Sequence, residues 1–75
     1  MPRYFFDVIT NGDRIVDPLG LELPDREAAR VEAIRAAVEM IANNALENAV
    51  DAQFEVTDEN GTIILTFPFA AARTN

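Results

Sequence analysis

Two turn signals, Asn11-Gly12 and Asp58-Glu59-Asn60-Gly61, each lie between runs of aromatic and β-branched residues, and a long segment with helical spacing separates them. Asn-Gly is the strongest short signal for a two-residue hairpin, because both central positions of a type I′ turn need positive φ. The tetrapeptide at 58–61 predicts a type I turn closed by a left-handed glycine. Before the first turn, Arg-Tyr-Phe-Phe-Asp-Val-Ile-Thr from Arg3 predicts a strand, and residues 13–17 return through Ile15 and Val16. Asp17-Pro18-Leu19-Gly20 has the residue order of a type I turn, so the second strand stops near Asp17, and Leu21-Glu22-Leu23 is a short extended lead. Asp25 then predicts an N-cap with Glu27 at the positive helix end, so a helix opens at about Arg26. Asn43, Asn44, Glu47 and Asn48 dilute helix preference and end it between Asn44 and Asn48. Residues 53–57 alternate with strand period, residues 62–67 are the densest β-forming run, and Pro68 ends that run or confines it to an edge. Residues 70–75 read as a frayed tail.

The order hairpin, helix, hairpin predicts an α+β domain spanning residues 1–75, ββαββ, with a four-stranded sheet and the helix packed on one face. The first and last strands, richest in apolar residues, are expected in the middle of the sheet. On the helix, Val31, Ile34, Val38, Ile41 and Ala45 recur at steps of three and four, which predicts a core stripe. Ala29, Ala33, Ala36 and Met40 form a second seam on the opposite side, read as helix propensity rather than contact.

One helix covers one sheet face, so a monomer needs a polar second face. A tight first turn puts Tyr4, Phe6, Val8 and Ile15 on one side and Phe5, Ile9 and Val16 on the other. In the second hairpin, Phe54, Val56 and Ile64 share a side and leave Ile63, Leu65 and Phe67 opposite. The surplus residues Phe5, Ile9, Val16, Ile63, Leu65 and Phe67 are therefore candidates for a dimer interface, unless a register slip or bulge rotates one group inward. With 75 residues and no cysteine or histidine, the chain has neither disulfide nor thiolate or imidazole metal site to supplement its core, which leaves self-association.

The chain also lacks serine, lysine and tryptophan. These absences remove the usual neutral-pH general base, the two common nucleophiles and the Schiff-base amine, so no catalytic residue, cofactor or metal ligand is assigned. What survives is carboxylate chemistry. Asp7 interrupts an apolar strand, and a tight hairpin brings it near Asp17 and to Arg3 or Arg14. That group reads either as a carboxylate pair with perturbed acidity or, more simply, as surface ion pairing that discourages strand addition. Asp58, Asn60 and Thr62 begin like a calcium loop, but the glycine follows too early and no bidentate glutamate closes the loop. Arg26 and Arg30 with Glu27 and Glu32 read as a solvated helix face. Tyr4-Phe5-Phe6 lacks the surrounding cations of a nucleic-acid stacking platform and reads as core. No apolar run approaches the ~20 residues of a membrane span and no secretory pattern opens the chain, so a cytoplasmic protein is expected.

Met1-Pro2-Arg3-Tyr4-Phe5-Phe6-Asp7, the Asp17-x-x-Gly20-x-Glu22-Leu23-Pro24-Asp25 segment, Glu27-Ala28-Ala29-Arg30 and Asp58-Glu59-Asn60-Gly61 together resemble a family of small bacterial proteins known as a domain of unknown function. The resemblance implies a stand-alone bacterial protein and brings no catalytic or binding residues with it. In layout alone, two strands leading to a helix are similar to small antitoxin-like proteins of the HicB kind. The sequence favours a non-catalytic, homodimeric interaction protein. An acidic antitoxin-like or inhibitor protein for a basic partner is the alternative, and a small carboxylate-dependent enzyme the third reading.

A net charge of −7, with six arginines dispersed from Arg3 to Arg73, opposes approach to a phosphate backbone and releases few counterions. Titration of labelled duplex and single strand is expected to give no saturable micromolar binding at moderate salt. Saturable binding that weakens as salt is added would contradict this expectation.

Overall fold

The computed structural model describes residues 1–43 and 51–73. In chain order these form β1 (Arg3–Thr10), β2 (Asp13–Ile15), β3 (Leu21–Glu22), α1 (Arg26–Ala42), β4 (Gln53–Thr57), β5 (Ile63–Pro68) and a 3-10 turn, Phe69–Arg73. The class is α+β, with one helix among the described residues and an antiparallel sheet of five strands ordered β2-β1-β4-β5, β3 also pairing with β1. Five strands replace the expected four because β2 and β3 both run along one edge of β1, Ile15 opposite Val8 and Leu21 opposite Tyr4. Of the two strands expected in the middle, only β1 lies there. β5 is an edge, and β4 takes the other central place because Phe54 and Val56 are among the most deeply buried side chains.

The turns form as their residues dictate. Asn11 (φ 53°) and Gly12 (φ 82°) both adopt positive φ and join β1 to β2. In the second hairpin Asp58 organises the loop: its carbonyl accepts from Gly61 N (3.0 Å), and its Oδ1 accepts from the amides of Asn60 (2.9 Å) and Thr62 (3.0 Å). At the helix start Asp25 Oδ1 accepts from Ala28 N at 2.9 Å, so the expected cap and opening residue hold. The helix ends at Ala42, where the C-cap Asn43 donates to Glu39 O. The stopping window at 44–48, and Ala45 with it, lies outside the described residues.

The helix face is the reverse of the expected one. Ala29, Ala33 and Ala37 are wholly buried, in one core with Tyr4, Val8, Ala52, Phe54, Val56 and Phe69, and Ala36 and Met40 pack against it. Val31 and Val38 instead remain 53% and 48% exposed, and among the described residues of the expected stripe only Ile41 packs against this core. Bulk explains the inversion. The sheet and the C-terminal turn supply large rings, Phe6 edge-on to Phe54 (6.1 Å) and Phe54 tilted against Phe69 (4.8 Å), and methyl-sized helix side chains fit in the same core where larger ones would overfill it.

A bulge changes the second hairpin. Leu65 lies opposite Val56 but Ile63 lies opposite Thr57, a register shift that leaves Ile64 as the extra residue. Leu65 and Phe67 consequently lie on the side of Val56 and Phe54 and pack against the core, contrary to their expected exposure. Pro68, opposite Gln53, ends β5. Phe69 N donates back to Ala52 O at 3.0 Å, so by alternation the Pro68 nitrogen faces the free edge, where no ladder bond is lost. The tail expected to fray from residue 70 is a 3-10 turn as far as Arg73, held by buried Phe69 and by Ala72 packed on the core.

Enlarging the helix seam should therefore hurt more than trimming the stripe. Ala33→Leu is expected to cost about 1–3 kcal/mol by overpacking, while Val38→Ala stays within about 0.5 kcal/mol as a surface change. Urea denaturation of both variants checks the ranking, and the opposite order would return the core to Val31, Ile34 and Val38.

Candidate functional site

The edge of β1 that carries both β2 and β3 is interrupted. Between the Val8–Ile15 and Tyr4–Leu21 pairs, residues 5–7 of β1 face residues 16–20, so the edge strand holds two residues more than its partner. Excess chain of this kind must leave the sheet, and the β1 backbone groups it abandons need other partners.

Asp17 supplies them. Its Oδ2 accepts from Phe6 N at 3.1 Å, replacing a strand carbonyl, and its Oδ1 accepts from Leu19 N (3.2 Å) and Gly20 N (3.1 Å), which folds the loop on itself. Asp17 N in turn donates to Asp7 Oδ1 at 2.9 Å. Asp7 and Asp17 are neighbours as expected, joined by the Asp17 backbone amide on the Asp7 carboxylate, while the Asp17 carboxylate serves the amides of Phe6, Leu19 and Gly20. Arg3 fastens the far end of the loop, donating from Nη1 to Leu19 O (2.8 Å) and pairing through Nη2 with Glu22 (3.3 Å). Gly20 (φ 70°) admits no side chain, since a Cβ there would come within 2.9 Å of Arg3 Cγ, Phe5 Cε2 and Tyr4 O.

Beside the loop, Asp7 and Glu55 stand directly opposite each other on β1 and β4, an unfavourable pair of like charges. Arg14 reaches across both, donating from Nη1 to Asp7 Oδ2 (2.8 Å) and from Nη2 to Glu55 Oε1 (2.5 Å). These bonds, Glu55's first and Asp7's second, hold the Arg14 guanidinium above its usual pKa. Every oxygen of Asp7 and Asp17 thus accepts from a protein donor, an arrangement suited to holding a loop rather than to moving protons. Among the described residues no group of three or more Asp or Glu is placed to hold a metal ion, and no helix is long and apolar enough to cross a membrane.

The six interface candidates do not form one surface. Phe5 and Ile9 are half-buried on the sheet face that carries Asp7 and Glu55, Ile63 is exposed opposite Thr57 on β4, and Leu65 and Phe67 lie against the core. Only Val16, 62% exposed, lies on the loop that Asp17 holds. Its exposed neighbours there, Ile15, Leu19 and Leu21, escape a reading based on strand alternation. Leu19 is 78% exposed although its amide and carbonyl are both fixed. An apolar residue between Pro18 and Gly20, in a turn that polar residues usually fill, is the signal that marks it.

Removing the Asp17 carboxylate should release three amides together. Asp17→Ala is expected to cost about 2–3 kcal/mol, the scale of hydrogen bonds to a charged group, and to speed amide hydrogen exchange at Phe6, Leu19 and Gly20. Gly20→Ala should destabilise comparably through steric overlap. Unchanged exchange in the Asp17 variant would show that the loop is held by other means.

The family model of a domain of unknown function, DUF6894, matches residues 3–70. No curated protein and no solved structure matches the chain. The matched span opens at the first residue of β1 and takes in the Asp17 loop, the helix, the second hairpin and buried Phe69. The chain belongs to the DUF6894 family.

Proposed function

We propose that this protein is a non-catalytic interaction module that pairs with a second copy of itself through the β2–β3 edge. The observation that carries the reading is the combination of Val16 and Leu19: large apolar side chains, mostly exposed, on a loop whose backbone is fixed at Asp17, Leu19 and Gly20. Exposed apolar residues on a mobile loop would pay for their ordering on contact, whereas on a fixed loop that entropy is already lost. Ile15 and Leu21 extend the apolar strip to either side.

Charge favours a second copy as the occupant. A twofold contact requires a patch complementary to itself. Both arginines of this edge are matched within the chain, Arg14 by Asp7 and Glu55 and Arg3 by Glu22, so two copies can meet there without setting unpaired arginines against each other and the apolar strip carries the contact. The proposed surface differs from the sheet face expected from sequence, where Arg14 already joins Asp7 and Glu55 and two of the apolar candidates have turned inward. A cytoplasmic setting belongs to the same proposal, since a chain without cysteine gains no disulfide from an oxidising compartment.

A second reading, an acidic partner for a basic protein, draws on a separate observation. Arg3, Arg14, Arg30 and Arg35 all pair with carboxylates of their own chain, which leaves the surplus charge at the surface anionic. Salt separates the two readings, because an apolar dimer persists as ionic strength rises and a charge-driven complex weakens. Sedimentation at micromolar concentration and moderate salt should give a dimer, and Val16→Ser with Leu19→Ser should give a folded monomer. A parent that sediments as a monomer, or a double variant that remains a dimer, would exclude this edge as the interface.

A further inference from the structure

The chain contains the same reactive dipeptide twice, Asn11-Gly12 and Asn60-Gly61, each in an exposed hairpin turn. We propose that Asn11 is a site of spontaneous deamidation and that the fold makes it react ahead of Asn60. The chemistry needs only water. The backbone nitrogen of Gly12, once deprotonated, attacks the side-chain carbonyl carbon of Asn11. A new C–N bond closes a five-membered succinimide, the bond to the side-chain amide nitrogen breaks, and that nitrogen leaves as ammonia with a proton from solvent. Water then opens the ring at one carbonyl or the other, leaving an aspartyl or an isoaspartyl linkage. One water enters and one ammonia departs, with no change of oxidation state.

Crowding does not distinguish the two sites, since a Cβ at Gly12 or at Gly61 would meet nothing within 4 Å. The attacking nitrogen does. Gly61 N–H donates to the Asp58 carbonyl at 3.0 Å, and Asp58 Oδ1 accepts from the neighbouring amides of Asn60 and Thr62. Deprotonating Gly61 would break a hydrogen bond and place an amide anion beside a carboxylate, two costs that act in the same direction. Among the described residues no group accepts from Gly12 N–H, so the first cost is absent at the first turn. Among those residues the carboxylate there, Asp51, accepts from Asn11 N alone at the longer distance of 3.3 Å, whereas Asp58 holds the amides on both sides of Gly61.

The product would disturb one specific contact. Asn11 N donates to Asp51 Oδ1 at 3.3 Å, tying the hairpin tip to the residues that lead into β4. Deamidation sets a new carboxylate near that of Asp51, and the isoaspartyl form adds a methylene to the backbone of a two-residue turn. Both changes loosen the tip from Asp51.

The full chain, incubated at mildly alkaline pH and body temperature, can be followed by peptide mapping for the mass gain of amide-to-acid conversion. Asn11 is expected to convert several-fold faster than Asn60 in the folded protein, and the two rates should converge in concentrated urea, where both turns are lost and the dipeptides are equivalent. Equal or faster conversion at Asn60 in the folded state, no conversion at Asn11, or a ratio that survives urea would each overturn the proposal.

Discussion

At the middle of β1 a side-chain carboxylate stands where a neighbouring strand would otherwise pair. Asp17 takes the Phe6 amide and closes its own loop in the same act, while its backbone N–H is held by Asp7. Two short edge strands, β2 and β3, can therefore flank one continuous β1 although the loop between them has two residues too many to remain in the ladder. The register on either side of the gap depends on this substitution, and so does the position of Leu21 against Tyr4. Asp7 serves the loop through one oxygen and Arg14 through the other, and Arg14 continues to Glu55 on β4. The polar chain thus crosses from the loop over β1 to the second central strand, on the sheet face opposite Tyr4, Val8 and Phe54.

The other face works by a different economy of volume. The helix contributes methyl groups at its most buried positions, so the aromatic side chains of β1, β4 and the C-terminal turn must fill the space beneath it. Phe54 is central, in contact with Phe6 on one side and Phe69 on the other. Such a core is thin on the helical side and thick on the sheet side. The helix surface directed outward is held mainly by short-range pairs, Glu27 with Arg30 and Arg35 with Glu32 and Glu39, whose contribution in water is small.

Local signals survived translation into three dimensions better than facial ones. Asn11-Gly12, the Asp58 turn and the Asp25 cap are each set by residues within four positions of one another, and each formed as read. The helix face was misread because two seams with the same spacing lie on opposite sides, and spacing alone does not say which one the sheet can accommodate. Side-chain size across the interface decides it, and that information lies in Phe6, Phe54 and Phe69, far away in sequence. Leu65 and Phe67 were displaced to the wrong side by one extra residue near Ile64, for which the sequence carries no glycine or other local mark. In the loop, proximity of Asp7 and Asp17 was legible. The role of Asp17 as a backbone partner was not, because it exists only where the ladder fails. The six interface residues expected from sequence scattered for the same reason: Val16, Ile63, Leu65 and Phe67 were assigned by alternation through a bulge or past an interruption.

Tyr4 is the single tyrosine of a chain without tryptophan, and it lies buried between the core and the Asp17 loop, its carbonyl close against Gly20. Its phenol emission therefore arises from one known place, with no indole to quench or absorb it by energy transfer. Its side chain belongs to the same buried core as the helix alanines, while its backbone borders the loop. Light from this residue gives the molecule an intrinsic optical probe at the junction of its two halves, sensitive to solvent entry from either, without a label or a substitution.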